Sequence, residues 1–201
     1  MRLYVLPGAC SLASHIALYE SGVKFEIARV DRKNRTTSDG LAFDQVSSKG
    51  YVPALRLDDG QILSENVAVL LYIADHTPEA HLAPSGTGLE RYRLLEWLAF
   101  INSEIHKTFS PLFSPAAGDE TKQYMRNQLS KRLDWLDGAV GSNSFLLGGA
   151  FTIADAYLFT VLRWGDRVGV DLARWPNLKR NQVAIGTRPK VMMALRAEGL
   201  G

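Results

Sequence analysis

The 201-residue chain has one cysteine, no long apolar segment and a small net charge, and each of these properties excludes a class of protein. Its single cysteine, Cys10, cannot form an intramolecular disulfide, so a reducing, cytoplasmic location is expected. The longest unbroken apolar run, residues 67–74, is too short to cross a membrane, and the stretch before Pro7 is too short for a signal-peptide core. The net charge is only +2 and no basic block is present, so nucleic acid is not an expected partner.

What remains is the composition of an average globular protein. Apolar residues make up 46% of the chain and charged residues 22%, which excludes disordered and fibrous classes. A chain of this length buries about 70% of the surface exposed by its unfolded form, so a substantial core is expected. The four histidines are scattered and have no cysteine partners, so no metal site is predicted.

The first part of the chain alternates between strand and helix patterns. Strands are predicted over residues 3–6 and 25–30 and in a hairpin over 54–63, and helices over 11–21 and 65–75. A strand–helix–strand unit makes its two strands parallel. This order predicts a thioredoxin-like domain with a mixed four-stranded sheet over residues 1–80.

The second part of the chain, residues 81–201, shows helix patterns alone. Prolines and glycines over residues 77–88 indicate a linker. One amphipathic helix is predicted from residue 89 until Pro111 ends it, another over 120–140, and two shorter helices near the C terminus. A further helix, between the one over 120–140 and the two near the C terminus, is predicted to begin at Thr152, whose spacing to Asp155 is that of a capping box. The predicted fold class is therefore an α/β thioredoxin-like N-terminal domain followed by an all-α C-terminal domain.

Cys10 follows the first strand and lies at the predicted start of the first helix. The N–H groups and the dipole at a helix N terminus favour a thiolate there. The alternative is a small, buried, apolar cysteine with no chemical role. No Cys-x-x-Cys motif is present, so redox chemistry would need a resolving thiol from a small molecule.

Two further segments suit a peptide ligand. A cis bond between Val52 and Pro53 at a strand start would turn the backbone groups of Val52 toward an extended peptide. The alternative is a trans proline that merely begins the strand, and the cis form is preferred because the thiol turn is expected opposite it. The helix opening at residues 64–66 would hold a carboxylate on its N–H groups and an ammonium on Glu65. The alternative there is ordinary capping by Ser64 or Asn66.

The helical part carries two weaker signals. Ser103, His106 and Ser110 form a polar stripe beside Lys107, although a lone histidine on such a stripe is usually a surface residue. Tyr157 and Trp164 are seven residues apart and share a helix face, where they are either core residues or the rim of a pocket.

Taken in order, these motifs resemble the bacterial beta-class glutathione S-transferases. The resemblance covers the whole chain and is carried by residues 7–11, 52–55, 65–68, 103–107 and 151–156. It implies a cytosolic homodimer with the two-domain fold predicted above. It also implies glutathione as co-substrate, a small apolar electrophile as second substrate, and no metal.

The resemblance also implies residue roles. Cys10 would meet the glutathione sulfur and can form a mixed disulfide with it, and His106 would be the second catalytic residue on the sulfur side. The glutathione-binding residues would be Arg35, Val52, Pro53, Glu65, Asn66, Ser103, Glu104 and Lys107, of which Ser103 and Glu104 would reach the glutathione of the partner subunit. The electrophile pocket would be lined by Phe109, Phe113, Tyr157 and Trp164.

The chain departs from the family pattern at three places. Asn66 replaces the usual serine, Ala99 replaces a frequent asparagine, and residues 47–48 are Ser-Ser instead of Asn-Pro. The expected function is conjugation of glutathione to electrophiles, with thiol–disulfide exchange or reductive dehalogenation through Cys10 as related reactions. The alternative is a non-catalytic ligand carrier or adaptor with the same fold. Neither membrane nor nucleic acid is an expected partner.

Overall fold

The computed structural model describes residues 1–201 and divides into two compact units. The first combines residues 1–83 with residues 188–201, and the second contains residues 84–187. These units differ from the predicted domains, 1–80 and 81–201, at the C terminus. The difference arises because the last helix packs against the first one, and Arg188 forms a two-pronged ion pair with Glu20 at 2.7 and 2.9 Å.

The first unit is built on a mixed sheet. Its strands are β1 (Arg2–Val5), β2 (Glu26–Asp31), β3 (Thr36–Thr37), β4 (Ala54–Arg56) and β5 (Ile62–Ser64), in the spatial order β3-β2-β1-β4-β5. Strands β1 and β2 are parallel, as predicted, and the other pairs are antiparallel. The prediction of four strands is wrong by one, because β3 is too short to give an alternating pattern.

The first unit also contains four α-helices. They are α1 (Ser11–Ser21), α2 (Phe43–Val46), α3 (Asn66–His76) and, from the end of the chain, the tenth helix, α10 (Pro189–Glu198). Gly22 ends α1 at φ +75°, a left-handed conformation that glycine adopts without steric cost. The thioredoxin-like prediction is confirmed, and β1 leads directly into the turn before α1.

The second unit is helical throughout. It contains α4 (Leu89–Phe100), a π-helical segment (Ile101–His106), α5 (Lys107–Phe113), α6 (Asp119–Val140), α7 (Ile153–Leu162), α8 (Gly165–Val168) and α9 (Pro176–Gly186). The prediction that Pro111 ends the long helix is wrong. Pro111 lies inside α5, since the loss of one N–H donor does not stop the last turn, and the interruption is the π-helical segment instead. None of the helices has the length and apolar character needed to span a bilayer.

Helix α7 is the buried centre of the second unit, and its start confirms the predicted capping box. All of its residues are buried. The backbone N–H and the hydroxyl of Thr152 both donate to Asp155 Oδ2 at 2.8 Å, and the N–H of Leu146 donates to Oδ1 at 2.8 Å. Burial raises the pKa of Asp155 to about 6, although these hydrogen bonds lower it.

Candidate active site

The thiol of Cys10 lies where the sequence predicts it, at the N terminus of α1. Cys10 is the residue immediately before the helix, and it is half-buried and not in a disulfide. Its Sγ donates to the carbonyl oxygen of Val52 at 3.2 Å. The hydroxyl of Ser11 accepts from the N–H of Leu6 at 3.2 Å and holds the turn between β1 and α1 closed. The thiol therefore lies at the positive end of the α1 dipole, while the carbonyl of Val52 accepts its hydrogen.

The Val52–Pro53 peptide bond is cis, as predicted. The carbonyl and the N–H of Val52 differ in their hydrogen bonding. Its carbonyl faces the Cys10 thiol, whereas its N–H makes no hydrogen bond to any protein group. An N–H without an intramolecular partner beside a thiol is suited to pair with the backbone of an extended peptide.

A cavity of about 400 Å³ opens beside these groups, and both Cys10 and Val52 line it. Arg35 lines it as well and forms a salt bridge with Asp44, whose pKa it lowers. The guanidinium passes over Gly50, where an added Cβ would lie 2.7 Å from Arg35 Nη2. A thiol, a free peptide N–H and a guanidinium in one cavity suit a peptide that carries a carboxylate.

Glu65 stands in a strained conformation immediately before α3. Its φ of 72° lies in the left-handed region, which costs a residue with a side chain about 1 to 3 kcal/mol. Its carboxylate accepts from Lys49 Nζ at 2.7 Å and from the hydroxyl of Tyr51 at 3.3 Å. Strain of this kind is concentrated at functional sites, which fits the predicted role of Glu65 in holding an ammonium.

Asn66, where the family usually has serine, turns its side chain into the protein. The residue is 5% exposed, and its Oδ1 accepts from the hydroxyl of Ser14 on α1 at 2.7 Å. The buried Nδ2 has no hydrogen-bond partner in the structure. The substitution is therefore accommodated between two helices, and the ligand-binding group that Asn66 retains at the start of α3 is its backbone N–H.

A contact from α10, which no sequence pattern indicates, also supports the thiol turn. Glu198 on α10 is buried, and its Oε2 accepts from the N–H of Gly8 at 2.8 Å. Its other oxygen lies 2.9 Å from Nδ1 of the fully buried His15. No local pattern marks Glu198, because its partners are separated from it by 183 and 190 residues.

In the second unit, His106 belongs to a hydrogen-bonded series of side chains. Its Nδ1 is 2.6 Å from the hydroxyl oxygen of Tyr157, which in turn donates to Asn102 Oδ1 at 3.0 Å. The indole of Trp164 meets the imidazole in a T-shaped contact, with 4.9 Å between ring centroids. The partly exposed His106 is thus held in a defined orientation, unlike the solvated surface histidine that its polar stripe alone would suggest. Asn102 was not identified from the sequence.

The four residues predicted to line an electrophile pocket lie together in this unit. Phe109, Phe113 and Trp164 have ring centroids between 5.6 and 6.4 Å apart. Phe113 is exposed, whereas Phe109 and Trp164 are largely buried. Tyr157 is completely buried, so the prediction that it lines the pocket requires correction. Its hydroxyl is directed to His106 and Asn102 instead.

The other predicted glutathione-binding residues of the second unit are Ser103, Glu104 and Lys107. They either have partners within this unit or face solvent. The hydroxyl of Ser103 donates to the carbonyl oxygen of Ala99 at 3.0 Å. Glu104 pairs with Arg132 of α6 at 2.7 Å. Lys107 is exposed. The predicted reach of Ser103 and Glu104 to the glutathione of a partner subunit stays a prediction.

A second cavity of the first unit is larger than the one beside Cys10. It has a volume of about 990 Å³ and is lined by Met1, Arg2, Lys24 and Lys190 among others. Neither the cysteine nor any histidine lines it, so it is separate from the predicted thiol site. No cluster of three or more His, Cys, Asp or Glu side chains is arranged to hold a metal ion.

Comparison with known proteins agrees with this geometry. Residues 8–76 match the family "Glutathione S-transferase, N-terminal domain", and residues 100–189 match "Glutathione S-transferase, C-terminal domain". The chain is 44% identical to glutathione S-transferase GstA of Escherichia coli O157:H7 over 200 residues, which cover 100% of both proteins.

Two solved structures are similar over the full length. A sphingomonad glutathione S-transferase complexed with glutathione is 47% identical, with a TM-score of 0.96 and 100% of both chains covered. The beta-class glutathione S-transferase of Sphingomonas chungbukensis is 46% identical, with the same TM-score and the same coverage. The chain therefore belongs to the glutathione S-transferase family and, within it, to the bacterial beta class.

Proposed function

We propose that the protein conjugates glutathione to small apolar electrophiles. The observation that carries this proposal is the cavity beside Cys10, in which a thiol at a helix N terminus, the N–H of Val52 and the guanidinium of Arg35 lie together. Glutathione is a tripeptide with a thiol in its middle and a carboxylate at its C-terminal end. Each of these groups has a partner of suitable chemistry in the cavity.

In this proposal the first unit binds glutathione and favours its thiolate. The positive end of the α1 dipole stabilises negative charge on sulfur, as it does for Cys10 itself. His106 supplies the base, and Phe113 and Trp164 provide the apolar surface for the electrophile, with Phe109 packed behind them. Titration calorimetry with glutathione and an assay with an activated aryl chloride test the proposal together. Tight binding without turnover would favour the ligand-carrier alternative.

The first prediction concerns Glu65. The Glu65→Gln variant removes the negative charge that would hold the ammonium of the γ-glutamyl group. A charge-assisted hydrogen bond contributes about 1.5 to 3 kcal/mol, so the KM for glutathione is expected to rise roughly 10- to 100-fold. Steady-state kinetics at saturating electrophile measure this change.

A matched control for Glu65→Gln is Glu26→Gln. Glu26 is also an exposed carboxylate of the first unit, but it pairs with Arg2 on β1, whereas Glu65 pairs with Lys49 and with Tyr51, which lines the cavity beside Cys10. Its substitution is expected to leave the KM for glutathione unchanged. Equal effects of the two substitutions would show that Glu65 contributes only general surface charge.

A second candidate reaction is glutathione-dependent thiol–disulfide exchange through Cys10. It is favoured by the half-buried thiol that lines the cavity, because a thiol in this position is accessible to a disulfide and close to bound glutathione. Cys10 attacks one sulfur of the disulfide, the S–S bond breaks, and the other sulfur leaves as a thiolate. The thiolate of a second glutathione then attacks the glutathione sulfur of the mixed disulfide, the bond to Cys10 breaks, and oxidised glutathione leaves as the Cys10 thiolate is restored.

We also propose that the protein is a cytoplasmic homodimer that associates through α4. Leu89 and Tyr92 are 69% and 58% exposed and lie three residues apart, so this helix presents two neighbouring apolar side chains to solvent. Sedimentation equilibrium at micromolar concentration is expected to give a dimer, and Tyr92→Asp is expected to give monomers. Val183→Asp on α9, which also charges an exposed apolar position, should remain dimeric. A wild-type monomer would refute the proposal.

A further inference from the structure

The series formed by Asn102, Tyr157 and His106 determines where the histidine carries its proton. The hydroxyl of Tyr157 has a single hydrogen, and the Oδ1 of Asn102 can only accept, so Tyr157 donates to Asn102 across 3.0 Å. The 2.6 Å contact to His106 Nδ1 must then run in the opposite direction. Nδ1 carries the hydrogen, and the tyrosine oxygen accepts it.

This direction decides the chemistry of the other ring nitrogen. A neutral imidazole has one N–H and one lone pair, and the hydrogen bond made by one nitrogen sets the state of the other. With the hydrogen on Nδ1, the lone pair is on Nε2. A histidine in this tautomer accepts a proton at Nε2, whereas the opposite tautomer would offer a hydrogen there and would not act as a base.

We infer that Asn102 and Tyr157 are positioning residues that hold neutral His106 in the Nδ1–H tautomer, so that Nε2 is the acceptor of the glutathione thiol proton. The inference rests on the proposed catalytic role of His106. In the step, the S–H bond breaks, its electron pair stays on sulfur, and the proton forms a bond to Nε2. The resulting imidazolium keeps its Nδ1 hydrogen bond to Tyr157 and later releases the Nε2 proton to water.

The surroundings of the series keep it intact. Tyr157 is completely buried, so water does not compete for its hydroxyl. Trp164 contacts the imidazole in a T-shaped geometry and restricts its rotation. Asn102 and His106 both belong to the π-helical segment Ile101–His106, a backbone form that is frequent at functional sites.

The test is nuclear magnetic resonance of the ligand-free protein with ¹⁵N-labelled histidine, at a pH where the rings are neutral. Long-range ¹H–¹⁵N correlation distinguishes the tautomers, because the protonated nitrogen and the lone-pair nitrogen have well-separated shifts. The signals of His106 are assigned by their loss in His106→Gln. The expected result is a protonated Nδ1 and a lone pair on Nε2. A protonated Nε2 would overturn the inference.

Two substitutions of Asn102 provide a matched pair. Asn102→Leu removes the acceptor, so Tyr157 is expected to donate to Nδ1 and the histidine to change to the Nε2–H tautomer. Asn102→Asp retains an acceptor oxygen and is expected to keep the wild-type pattern. An unchanged tautomer in Asn102→Leu would show that Asn102 does not position His106. Tyr157→Phe, with unfolding checked separately, is expected to lose the Nδ1–H preference.

Kinetics separate this inference from the proposed function. Asn102→Leu and Tyr157→Phe are expected to lower kcat for conjugation roughly 10- to 100-fold with little change in the KM for glutathione, as for loss of a base. Asn102→Asp is expected to retain most of the activity. Conjugation by a wild type with a protonated Nε2 would overturn the inference alone. The Nδ1–H tautomer in a protein without conjugation would overturn the proposed function alone.

Discussion

Replacement of Cys10 by alanine is expected to abolish disulfide exchange completely while part of the conjugation activity survives. The two reactions differ in their nucleophile. In exchange the Cys10 sulfur itself attacks, whereas in the proposed conjugation the attacking sulfur belongs to glutathione, and the N terminus of α1 and the N–H of Val52 remain in the variant. The measurements are reduction of a glutathione mixed disulfide and conjugation of an aryl chloride by the same Cys10→Ala preparation. Full exchange activity in the variant would refute a chemical role for this thiol.

The wild-type protein provides a complementary measurement. Oxidised glutathione is expected to form a single adduct on Cys10, detected by mass spectrometry and removed by a reducing agent. Because Cys10 is the only cysteine, the reactivity of the site is judged from rates. The folded protein should react faster than the urea-unfolded chain, since the α1 dipole favours the thiolate, and Glu65→Gln should react more slowly than wild type. Equal rates for folded and unfolded chains would show that the fold does not raise the reactivity of Cys10.

Replacement of Asp155 by alanine is expected to cause the largest loss of stability of any substitution considered. Asp155 accepts from the buried N–H groups of Thr152 and Leu146 and from the Thr152 hydroxyl. An unsatisfied buried donor costs about 1 to 3 kcal/mol, so the free energy of unfolding should fall by about 4 kcal/mol at pH 7. Thr152→Ala keeps the backbone contact and should lose only about 1 kcal/mol. Urea unfolding measures both, and equal losses would contradict this assignment of the cap.

The effect of Asp155 should also depend on pH, with a defined sign. Its pKa is raised from 3.8 to about 6 in the folded protein, so between these values the folded chain binds more protons than the unfolded chain. The stability contributed by Asp155 is therefore complete below pH 3.8 and falls by about 3 kcal/mol as the pH rises to about 6. The difference between wild type and Asp155→Ala should be largest in acid. A difference that does not vary with pH would show that burial does not control this carboxyl.

Features encoded by neighbouring residues were predictable from the sequence. The turn before α1 follows from Pro7 and Gly8, and it fixes Cys10 at the helix start whatever packs around it. The spacing of Thr152 and Asp155 likewise defines a helix start within four residues. The cis bond at Pro53 was the preferred of two alternatives, because the thiol turn was expected opposite it.

Features that depend on distant partners were not predictable. The apolar positions around residues 94–109 continue at helical spacing through the π-helical segment, so the pattern gives no sign of a change in backbone hydrogen bonding. The sequence shows the same aromatic ring at Tyr157 whether the residue lines a pocket or forms a hydrogen bond with a histidine. Only the partners of its hydroxyl distinguish these two roles. Strand β3 is only two residues long and is defined by its pairing with β2.

The division of the chain has a consequence for its synthesis. Because the first unit is made of residues 1–83 and 188–201, a ribosome completes all of residues 84–187 before the first unit has its full sequence. Domains generally fold as they emerge, N-terminal first, but the contact between Glu198 and the Gly8 N–H can form only after residue 198 is made. A chain that ends before residue 198 thus contains Cys10 without the contact that α10 gives to its turn, and the thiol site is completed later than the helical second unit.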